Sequence, residues 1–285
     1  MIKITPEVLA GANDKSRRLK ELLLAPEILI LPGAFNVLSA LLYQHLGFPA
    51  IQGSSSGFAN AMGYEDLAIG RDKTVEASRL VAAAVTVPVN ADGEEGFGGP
   101  DDVRETVRAF VAAGLAGMNM EDGSKTAPGG LVTVEQQLEK IAAFMEERES
   151  LGSEFLLNAR VDTFVALHDD PAGALAEAFR RGQAYAEAGG DSVFFFRVRD
   201  PAAIRTLVTE IPAPVSILAG PGVPSARELE ELGVARVSYG SQFLSVAVGA
   251  VKRAALEVLE KHTHELMSEG LDGVEMRAIL KSRAD

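Results

Sequence analysis

Residues 88–122 read PVNADGEEGFGGPDDVRETVRAFVAAGLAGMNMED. Within this stretch the short apolar runs Pro88 to Ala91 and Gly117 to Met120 predict two strands. Between them, Asp101 to Ala113 carries apolar residues three and four positions apart, which predicts an amphipathic helix, and Gly114 suits its C-terminal cap. A strand, a helix and a second strand in this order predict a βαβ unit with parallel strands.

The same unit recurs along the whole chain. The predicted strands are Ile28 to Leu31, Ala50 to Gln52, Pro88 to Ala91, Gly117 to Met120, Phe155 to Asn158, Ser192 to Phe196, Val215 to Leu218 and Arg236 to Ser238. Further predicted helices are Val134 to Arg148, Pro171 to Ala188 and Ala202 to Glu210. Eight units in roughly 230 residues suit a barrel, and no G-x-G-x-x-G string follows the first strand, as a dinucleotide-binding sheet would require. The pattern favours an α/β fold, a (β/α)₈ TIM barrel, over an open doubly wound sheet.

Two segments lie outside the repeated units. An extra helix is predicted before the first strand, from about Asp14 to Leu24. Residues 241–285 form a predicted C-terminal helical segment, and between His262 and Asp285 it carries enough apolar positions to need a surface to cover. No linker or low-complexity stretch divides the chain, so we expect residues 1–285 to form one domain whose C-terminal segment packs on a partner subunit.

The composition excludes several classes of function. Net charge is −13, from 40 acidic and 27 basic residues without a basic cluster, which argues against nucleic-acid binding. An anionic substrate would need a local positive field from a metal, an arginine or helix N-termini. Cysteine is absent, so disulfides, thiolate metal sites and cysteine catalysis are excluded. The sequence shows neither a signal peptide nor an apolar span of about 20 residues, and we expect a cytoplasmic protein without membrane partners.

Oxygen-bearing side chains stand at the carboxyl ends of neighbouring predicted strands, where a TIM barrel places its active site. Asn90 and Asp92 end the third strand, Glu121 ends the fourth, and Asp66 follows the second. Mg²⁺ binds such oxygens and keeps several waters. The alternative is that these residues cap the helices that follow, a common use of acidic residues. The strand ends therefore predict a divalent-metal site and leave helix capping open.

Other strand ends carry groups that suit an anion. The run Ser54-Ser55-Ser56-Gly57 offers backbone amides and hydroxyls to a carboxylate, although it could equally be a polar loop. Arg160, which follows Asn158 on the fifth strand, could bind a substrate carboxylate or instead pair with Asp122 or Asp162 at the rim.

These residues stand in ordered strings that resemble the isocitrate lyase/phosphoenolpyruvate mutase superfamily. The strings are Pro32 to Asn36 with Leu38 to Ala40, Gly53 to Gly57 with Met62, Gly63 and Asp66, Val89 to Asp92 with Gly96 to Gly98, Glu121 with Asp122, and Asn158 to Asp162. The resemblance covers about Leu31 to Gly240. It implies a (β/α)₈ barrel whose last helix is exchanged between subunits, commonly in a dimer of dimers.

The resemblance also implies roles for individual residues. It makes Asp66, Asn90, Asp92 and Glu121 the ligand shell of Mg²⁺, for which Mn²⁺ could substitute. Ser54, Ser55, Ser56 and Gly57 would hold the carboxylate of a 2-oxo acid, with Arg160 and Asn158 beside it. The shared chemistry is a pyruvate enolate held on the metal, and it makes Arg160, Glu121 and Asp66 the catalytic candidates.

Departures from the family pattern narrow the reaction. The lyase branch carries a Lys-Arg-Cys-Gly-His string after the fourth strand, whereas residues 123–130 read GSKTAPGG, which argues against isocitrate or methylisocitrate lyase activity. Asn90 stands where relatives have an aspartate, and Glu94 or Glu95 could restore the charge. Arg197 stands where several relatives have an acidic residue, and it could meet a second substrate carboxylate or pair with Asp200.

Three hypotheses follow from these features. The first is a Mg²⁺-dependent carbon–carbon lyase of a small 2-oxo acid, such as an oxaloacetate decarboxylase. The second is P–C chemistry, either phosphonopyruvate hydrolysis or the phosphonomutase rearrangement. The third is a protein that binds a 2-oxo acid without turning it over.

Overall fold

The computed structural model describes residues 4–284, so the predictions for residues 1–3 and Asp285 lie outside the described residues. One sheet of parallel strands forms the centre of the molecule. Its strands are β1 (Leu29–Leu31), β2 (Gly33–Ala34), β3 (Ile51–Gly53), β4 (Val89–Asp92), β5 (Gly117–Glu121), β6 (Leu156–Val161), β7 (Ser192–Phe195), β8 (Val215–Leu218) and β9 (Arg236–Ser238). All eight predicted strands are present.

The sheet closes into a barrel at Pro32. β1 pairs with β9 at one side of this proline, and β2 pairs with β3 at the other. The two segments are therefore one barrel strand, interrupted at a residue that has no N–H to donate. Gly33 lies so close to Gly240 that a Cβ there would sit 1.7 Å from the Gly240 carbonyl oxygen, which requires glycine. The prediction of a (β/α)₈ TIM barrel is confirmed.

Helices surround the barrel and fill the connections between strands. They are α1 (Pro6–Leu23), α2 (Val37–His45), α3 (Ser55–Ala61), α4 (Gly70–Ala84), α5 (Pro100–Ala112), α6 (Val134–Ser150), α7 (Thr163–Ala166), α8 (Pro171–Glu187), α9 (Pro201–Glu210), α10 (Ala226–Glu231), α11 (Gln242–Leu256) and α12 (Gly273–Lys281). None of the helices between residues 4 and 284 combines the length and apolar character needed to cross a membrane.

The N-terminal helix begins earlier than the predicted start near Asp14. The Thr5 hydroxyl accepts a hydrogen bond from the Val8 amide, Pro6 occupies the first helical position, and Glu7 lies in the first turn. Together these residues form a standard helix start. The prediction placed the start too late because it relied on apolar spacing, and the first turns of α1 are mostly exposed.

Polar side chains fill the barrel interior below the strand ends. Arg236 donates through Nη2 to Gln52 Oε1 at 2.6 Å and to Asn119 Oδ1 at 3.3 Å. Asn90 donates through Nδ2 to the same two oxygens, both at 3.1 Å. Asn158 donates to Asn119 Oδ1 at 2.8 Å. We call these five residues the interior layer; all are buried, and their hydrogen bonds offset part of the cost of burying them.

The C-terminal segment has two parts that differ in packing. α12 contacts α2 of the same chain, and Ile279 on α12 is fully buried there. α11 buries none of its residues, and Val246 and Val251 are 69% and 68% exposed. Phe243 near the start of α11 packs against Tyr43 and Tyr239, but the apolar residues farther along the helix stay exposed, which suits a surface that another subunit covers. Exchange of this segment between subunits stays a prediction.

Candidate active site

A cavity of about 980 Å³ opens at the carboxyl ends of the barrel strands. We call it the central cavity. Its lining includes Ser54, Ser55, Ser56, Asp66, Asp92, Glu94, Glu95, Glu121, Ser124, Lys125, Thr126, Arg160, Asp162, His168, Phe196, Arg197, Arg199, Tyr239 and Gln242. This is the end of a TIM barrel at which active sites are built.

Most of the predicted site residues meet in the central cavity. Those that line it are Ser54, Ser55, Ser56, Asp66, Asp92, Glu121, Arg160 and Arg197. They come from segments more than 140 positions apart in sequence, and the barrel brings them together because its parallel strands all end at the same rim. Their chemical roles stay predictions.

Three predicted residues lie outside this lining. The Gly57 amide donates to Ser54 Oγ at 3.1 Å, so Ser54 caps α3 and Gly57 lies in its first turn. Asn90 and Asn158 belong to the interior layer, where Asn158 Oδ1 also accepts from the Ser192 hydroxyl at 2.6 Å. Each asparagine precedes a cavity residue by two positions on its strand, which places it about 6.6 Å deeper in the barrel.

Asp92 joins the end of β4 to the start of α3. Its Oδ2 accepts from the Ser55 hydroxyl at 2.9 Å, and the Ser55 amide lies 3.4 Å from the same oxygen. The contact fixes one candidate metal ligand against the loop that the sequence predicts to hold a substrate carboxylate.

Arg160 is bound to two carboxylates at the rim. Its Nε and Nη2 donate to the two oxygens of Asp162 at 2.8 and 3.0 Å, and its Nη1 lies 2.5 Å from Glu121 Oε2. The guanidinium also lies 3.7 Å from the centroid of the Phe196 ring, in cation–π geometry. Of the rim partners proposed for Arg160, Asp162 is the one that it contacts, while Asp122 has other partners.

Asp122 lies behind the cavity and supports its wall. It accepts hydrogen bonds from Arg181 at 2.9 Å and from the Tyr185 hydroxyl at 2.8 Å, both on α8. Its other oxygen accepts from the Asp162 amide at 2.9 Å. Asp122 therefore ties the ends of β5 and β6 to α8 and has no contact with the cavity.

Four carboxylates line one side of the cavity, at Asp66, Asp92, Glu94 and Glu121, and we call them the acidic wall. Their negative charge exceeds the positive charge beside them. Burial, and next the charge of Asp92, raise the pKa of Asp66. Burial raises the pKa of Glu94 to about 8, and Asp92, Glu95 and Asp66 add to the shift, while Lys125 opposes it. Burial also raises the pKa of Glu121 well above its usual range, against the opposing charge of Arg160. A cation among these groups would stabilise their ionised forms.

The donor set fits a divalent cation held partly through water. No three Asp, Glu or His side chains in the described part of the chain converge closely enough to hold a metal ion directly. Mg²⁺ often takes only one or two protein carboxylates and keeps several waters, so carboxylates spread around a cavity suit it. The ligands available at the rim are Asp66, Asp92, Glu94 and Glu121.

A basic wall follows β7, three strands round the barrel from β4. Arg197 and Arg199 line the cavity there, and neither forms an ion pair with a carboxylate among residues 4–284. Asp200, the alternative partner for Arg197, instead caps α9 by accepting from the Ala203 amide. Arg197 has a φ of 65°, which is rare for a residue with a side chain, and such conformations cluster at functional sites.

Sequence reasoning missed two basic cavity residues. Arg199 follows Arg197 by two positions, and this repeat of arginine at a strand end was the available signal. Lys125 lies in residues 123–130, a compact loop in which the Ser124 amide donates to the Gly130 carbonyl at 2.9 Å. No periodic pattern predicted that this loop turns its residues toward the cavity.

Comparisons with known proteins identify relatives across the chain. The sequence profile of the family described as phosphoenolpyruvate phosphomutase matches residues 19–259. An uncharacterised protein of Mycobacterium tuberculosis is 36% identical over 234 residues, which are 80% of this chain and 84% of the relative. Phosphonopyruvate hydrolase of Variovorax sp. is 31% identical over 254 residues, 84% of each chain. The 2,3-dimethylmalate lyase of Eubacterium barkeri is 28% identical over 250 residues, also 84% of each.

Among solved structures, a phosphonopyruvate hydrolase in complex with oxalate and Mg²⁺ superimposes with a TM-score of 0.81 at 29% identity, and the match covers 94% of both chains. The similar proteins thus include lyases, hydrolases and mutases. Because the family profile spans most of the chain and a characterised relative exceeds 30% identity, the chain belongs to the phosphoenolpyruvate phosphomutase family of the isocitrate lyase/PEP mutase superfamily.

Proposed function

We propose that the chain is a Mg²⁺-dependent lyase that cleaves a small 2-oxo dicarboxylate to the enolate of pyruvate, as in the decarboxylation of oxaloacetate. One observation carries the proposal: a single cavity holds a wall of carboxylates, at Asp66, Asp92 and Glu121, and two arginines without carboxylate partners. The first set suits a metal-bound 2-oxo group, and the second suits a further anionic end.

At the metal end, Asp66, Asp92 and Glu121 would hold the cation, with Asn90 behind them. When bound, Mg²⁺ or Mn²⁺ polarises the 2-oxo group and lowers the cost of negative charge on its oxygen. Ser54, Ser55 and Ser56 would orient the adjoining carboxylate through hydroxyl and amide groups. Arg160, already fixed by Asp162 and Glu121, would present a rigid positive charge beside it.

At the other end, Arg197 and Arg199 would bind the second carboxylate. The protein as a whole repels a dianion because its net charge is −13. Two unpaired guanidinium groups in the cavity supply the local counter-field, and each can fork onto a carboxylate. This end would distinguish oxaloacetate from a 2-oxo monocarboxylate of the same length.

The reaction follows from this orientation. The C3–C4 bond of oxaloacetate breaks, CO₂ leaves, and the electron pair delocalises over C3, C2 and the 2-oxo oxygen. Protonation of the resulting enolate at C3 gives pyruvate. The cavity contains no cysteine to donate that proton, which separates this chain from the isocitrate and methylisocitrate lyases; Lys125 is the candidate donor.

A second candidate function is phosphonopyruvate hydrolysis or the phosphonomutase rearrangement. Two observations favour it: the 31% identity to a phosphonopyruvate hydrolase, and the presence of Ser124, Lys125 and Thr126 in the cavity lining. Hydroxyl and ammonium groups are suitable donors to a phosphoryl group. Both functions would form the enolate of pyruvate in the same cavity, with the metal, when bound, stabilising charge on the 2-oxo oxygen, and they differ in the bond that breaks at C3.

One assay panel separates the possibilities. Purified protein with Mg²⁺ is incubated with oxaloacetate, with pyruvate followed by lactate dehydrogenase, and with phosphonopyruvate, followed by ³¹P NMR. Because metals alone decarboxylate oxaloacetate, a Mg²⁺ blank and the Asp92→Ala variant serve as controls. Pyruvate above both controls supports the lyase, and phosphate or phosphoenolpyruvate supports P–C chemistry. Tight binding of a 2-oxo acid without turnover would instead support a non-catalytic binding protein.

We also propose that the chain works as a homo-oligomer, a dimer of dimers, through the exposed apolar face of α11. In one chain this helix buries no residue, although Val246, Val248 and Val251 are all apolar. A contiguous apolar surface of this kind normally lies in an interface.

A further inference from the structure

Glu94 is an unusual residue in the acidic wall. Only 4% of its surface is exposed, it lines the central cavity, and its Oε1 has no hydrogen-bond partner among residues 4–284. Its φ of 47° is rare for a residue with a side chain. A buried carboxylate oxygen without a partner costs free energy, so some group absent from the chain itself should satisfy it.

The backbone of Glu94 is held between two candidate metal ligands. Its carbonyl oxygen accepts from the Glu121 amide at 2.8 Å, and its amide lies 3.4 Å from Asp92 Oδ1. The strained φ is thus fixed by contacts on both sides. This arrangement places Glu94 in the lining of the same cavity as Asp92, Asp66 and Lys125.

Asn90, in contrast, is poorly placed to add charge to the rim. It is fully buried in the interior layer, and its Nδ2 donates to Gln52, to Asn119 and to the Ala91 carbonyl. Asn90, which the family pattern makes a metal ligand, is therefore neutral in this chain, and its amide nitrogen already donates hydrogen bonds inside the barrel. The acidic wall lacks one carboxylate at position 90 and has an unpartnered one at position 94.

We infer that Glu94 supplies the carboxylate that Asn90 lacks and holds the divalent cation together with Asp92, directly or through one water. The inference rests on the proposed function only in requiring that a cation binds in the central cavity. A Glu94 that is merely buried would stabilise the loop in its protonated form and would leave cation affinity unchanged.

Cation binding can be measured without any reaction. Mn²⁺ is titrated into metal-free protein at about 0.15 M salt, with calorimetry and the EPR signal of free Mn²⁺ as readouts, for wild type, Glu94→Gln and Glu95→Gln. Glu95 is the matched control because it is the adjacent carboxylate in the same cavity. We expect Glu94→Gln to weaken binding by about 10- to 100-fold, the loss typical even for indirect partners of a metal.

The outcomes separate the two proposals. Glu95→Gln should change affinity by less than about threefold, since salt screens a charge that is not a ligand. The inference would be overturned if the Mn²⁺ affinity of Glu94→Gln lay within twofold of the wild type. It would also be overturned if Glu94→Gln and Glu95→Gln lost equal affinity. Failure of the wild type to bind Mn²⁺ would overturn the inference and would also remove the metal from the proposed function. If Glu94→Gln does not fold, Glu94→Asp takes its place. Its shorter side chain keeps the negative charge but holds the carboxylate farther from the cation, so its affinity for Mn²⁺ should lie below that of the wild type.

Discussion

Arg160 Nη1 lies 2.5 Å from Glu121 Oε2, while the remaining nitrogens of the guanidinium bind Asp162. One guanidinium therefore contacts two buried carboxylates, one at the end of β5 and one just after β6. Any substrate or metal that binds here would meet an ion network that already exists in the folded chain.

The first prediction concerns this network. Arg160→Met leaves Glu121 and Asp162 buried without a counter-charge, and breaking one side of a buried pair costs about 3–5 kcal/mol. Arg160→Lys keeps the positive charge but cannot form the two parallel hydrogen bonds to Asp162, so its loss of unfolding free energy should be smaller. Urea unfolding in EDTA measures both. The control is Arg227→Met, which removes an exposed pair with Glu231 and should cost under about 1 kcal/mol. Equal losses at positions 160 and 227 would contradict the structural role of Arg160.

The second prediction concerns the metal. Mg²⁺ at 100 times its dissociation constant should stabilise the wild type by about 2.7 kcal/mol, because it binds the folded chain alone. Asp92→Ala removes a ligand candidate and the acceptor of the Ser55 hydroxyl, so the stabilisation and the activity should both disappear. Thermal unfolding with and without Mg²⁺ measures the first effect. The control is Glu65→Gln, at an exposed residue next to Asp66 in the sequence, and it should keep both the stabilisation by Mg²⁺ and the activity. Activity that survives Asp92→Ala would mean that the metal lies elsewhere.

The third prediction concerns the basic wall. Oxaloacetate and 2-oxobutanoate share the 2-oxo acid end, and only the former carries a second carboxylate. Arg197→Met and Arg199→Met should each weaken oxaloacetate binding by about 10- to 150-fold, the worth of a charged hydrogen bond of about 1.5–3 kcal/mol. Binding of 2-oxobutanoate should stay the same. Calorimetry measures the binding of both ligands to each variant, and Arg205→Met on α9 is the control variant. Parallel losses for both ligands would show that the arginines do not select a distal anion.

The fourth prediction concerns assembly. Val246→Lys combined with Val251→Lys places two charges on the exposed apolar face of α11. We expect the solution mass from light scattering to fall to that of a smaller species, while the far-UV circular dichroism stays unchanged. Leu24→Lys, at a site that is 62% exposed after α1, should leave the mass unaltered. A monomeric wild type would contradict the proposed oligomer.

The sequence predicted the barrel because its strands are continuous apolar runs, buried on both sides, that alternate with amphipathic helices. It also predicted that Asp92, Glu121 and Arg160 meet, since all three stand at strand ends. Depth along a strand was harder to read. Asn90 and Asn158 point inward like Asp92 and Arg160 but lie two residues deeper, and a string of letters does not mark where the interior stops and the cavity begins.

For residues in loops, the sequence could suggest candidates for the site but could not predict their positions. Glu94 attracted attention through its charge, yet its burial depends on a left-handed backbone that the contacts of Asp92 and Glu121 impose. Lys125 had no pattern that predicted its position, and Arg199 had only the repeat of arginine two positions after Arg197. Their positions follow from how the loops fold over the rim, which is decided by tertiary contacts and not by local propensity.

The interior layer limits how this chain could change. The Gln52 and Asn119 oxygens that face Asn90 already accept hydrogen bonds from Arg236. An Asn90→Asp substitution alone would set a carboxylate against those two oxygens and remove one of the donors that they now share. A carboxylate at position 90 would therefore need accompanying changes at Gln52 or Asn119, whereas the hydrogen bonds of Glu94 lie outside that network.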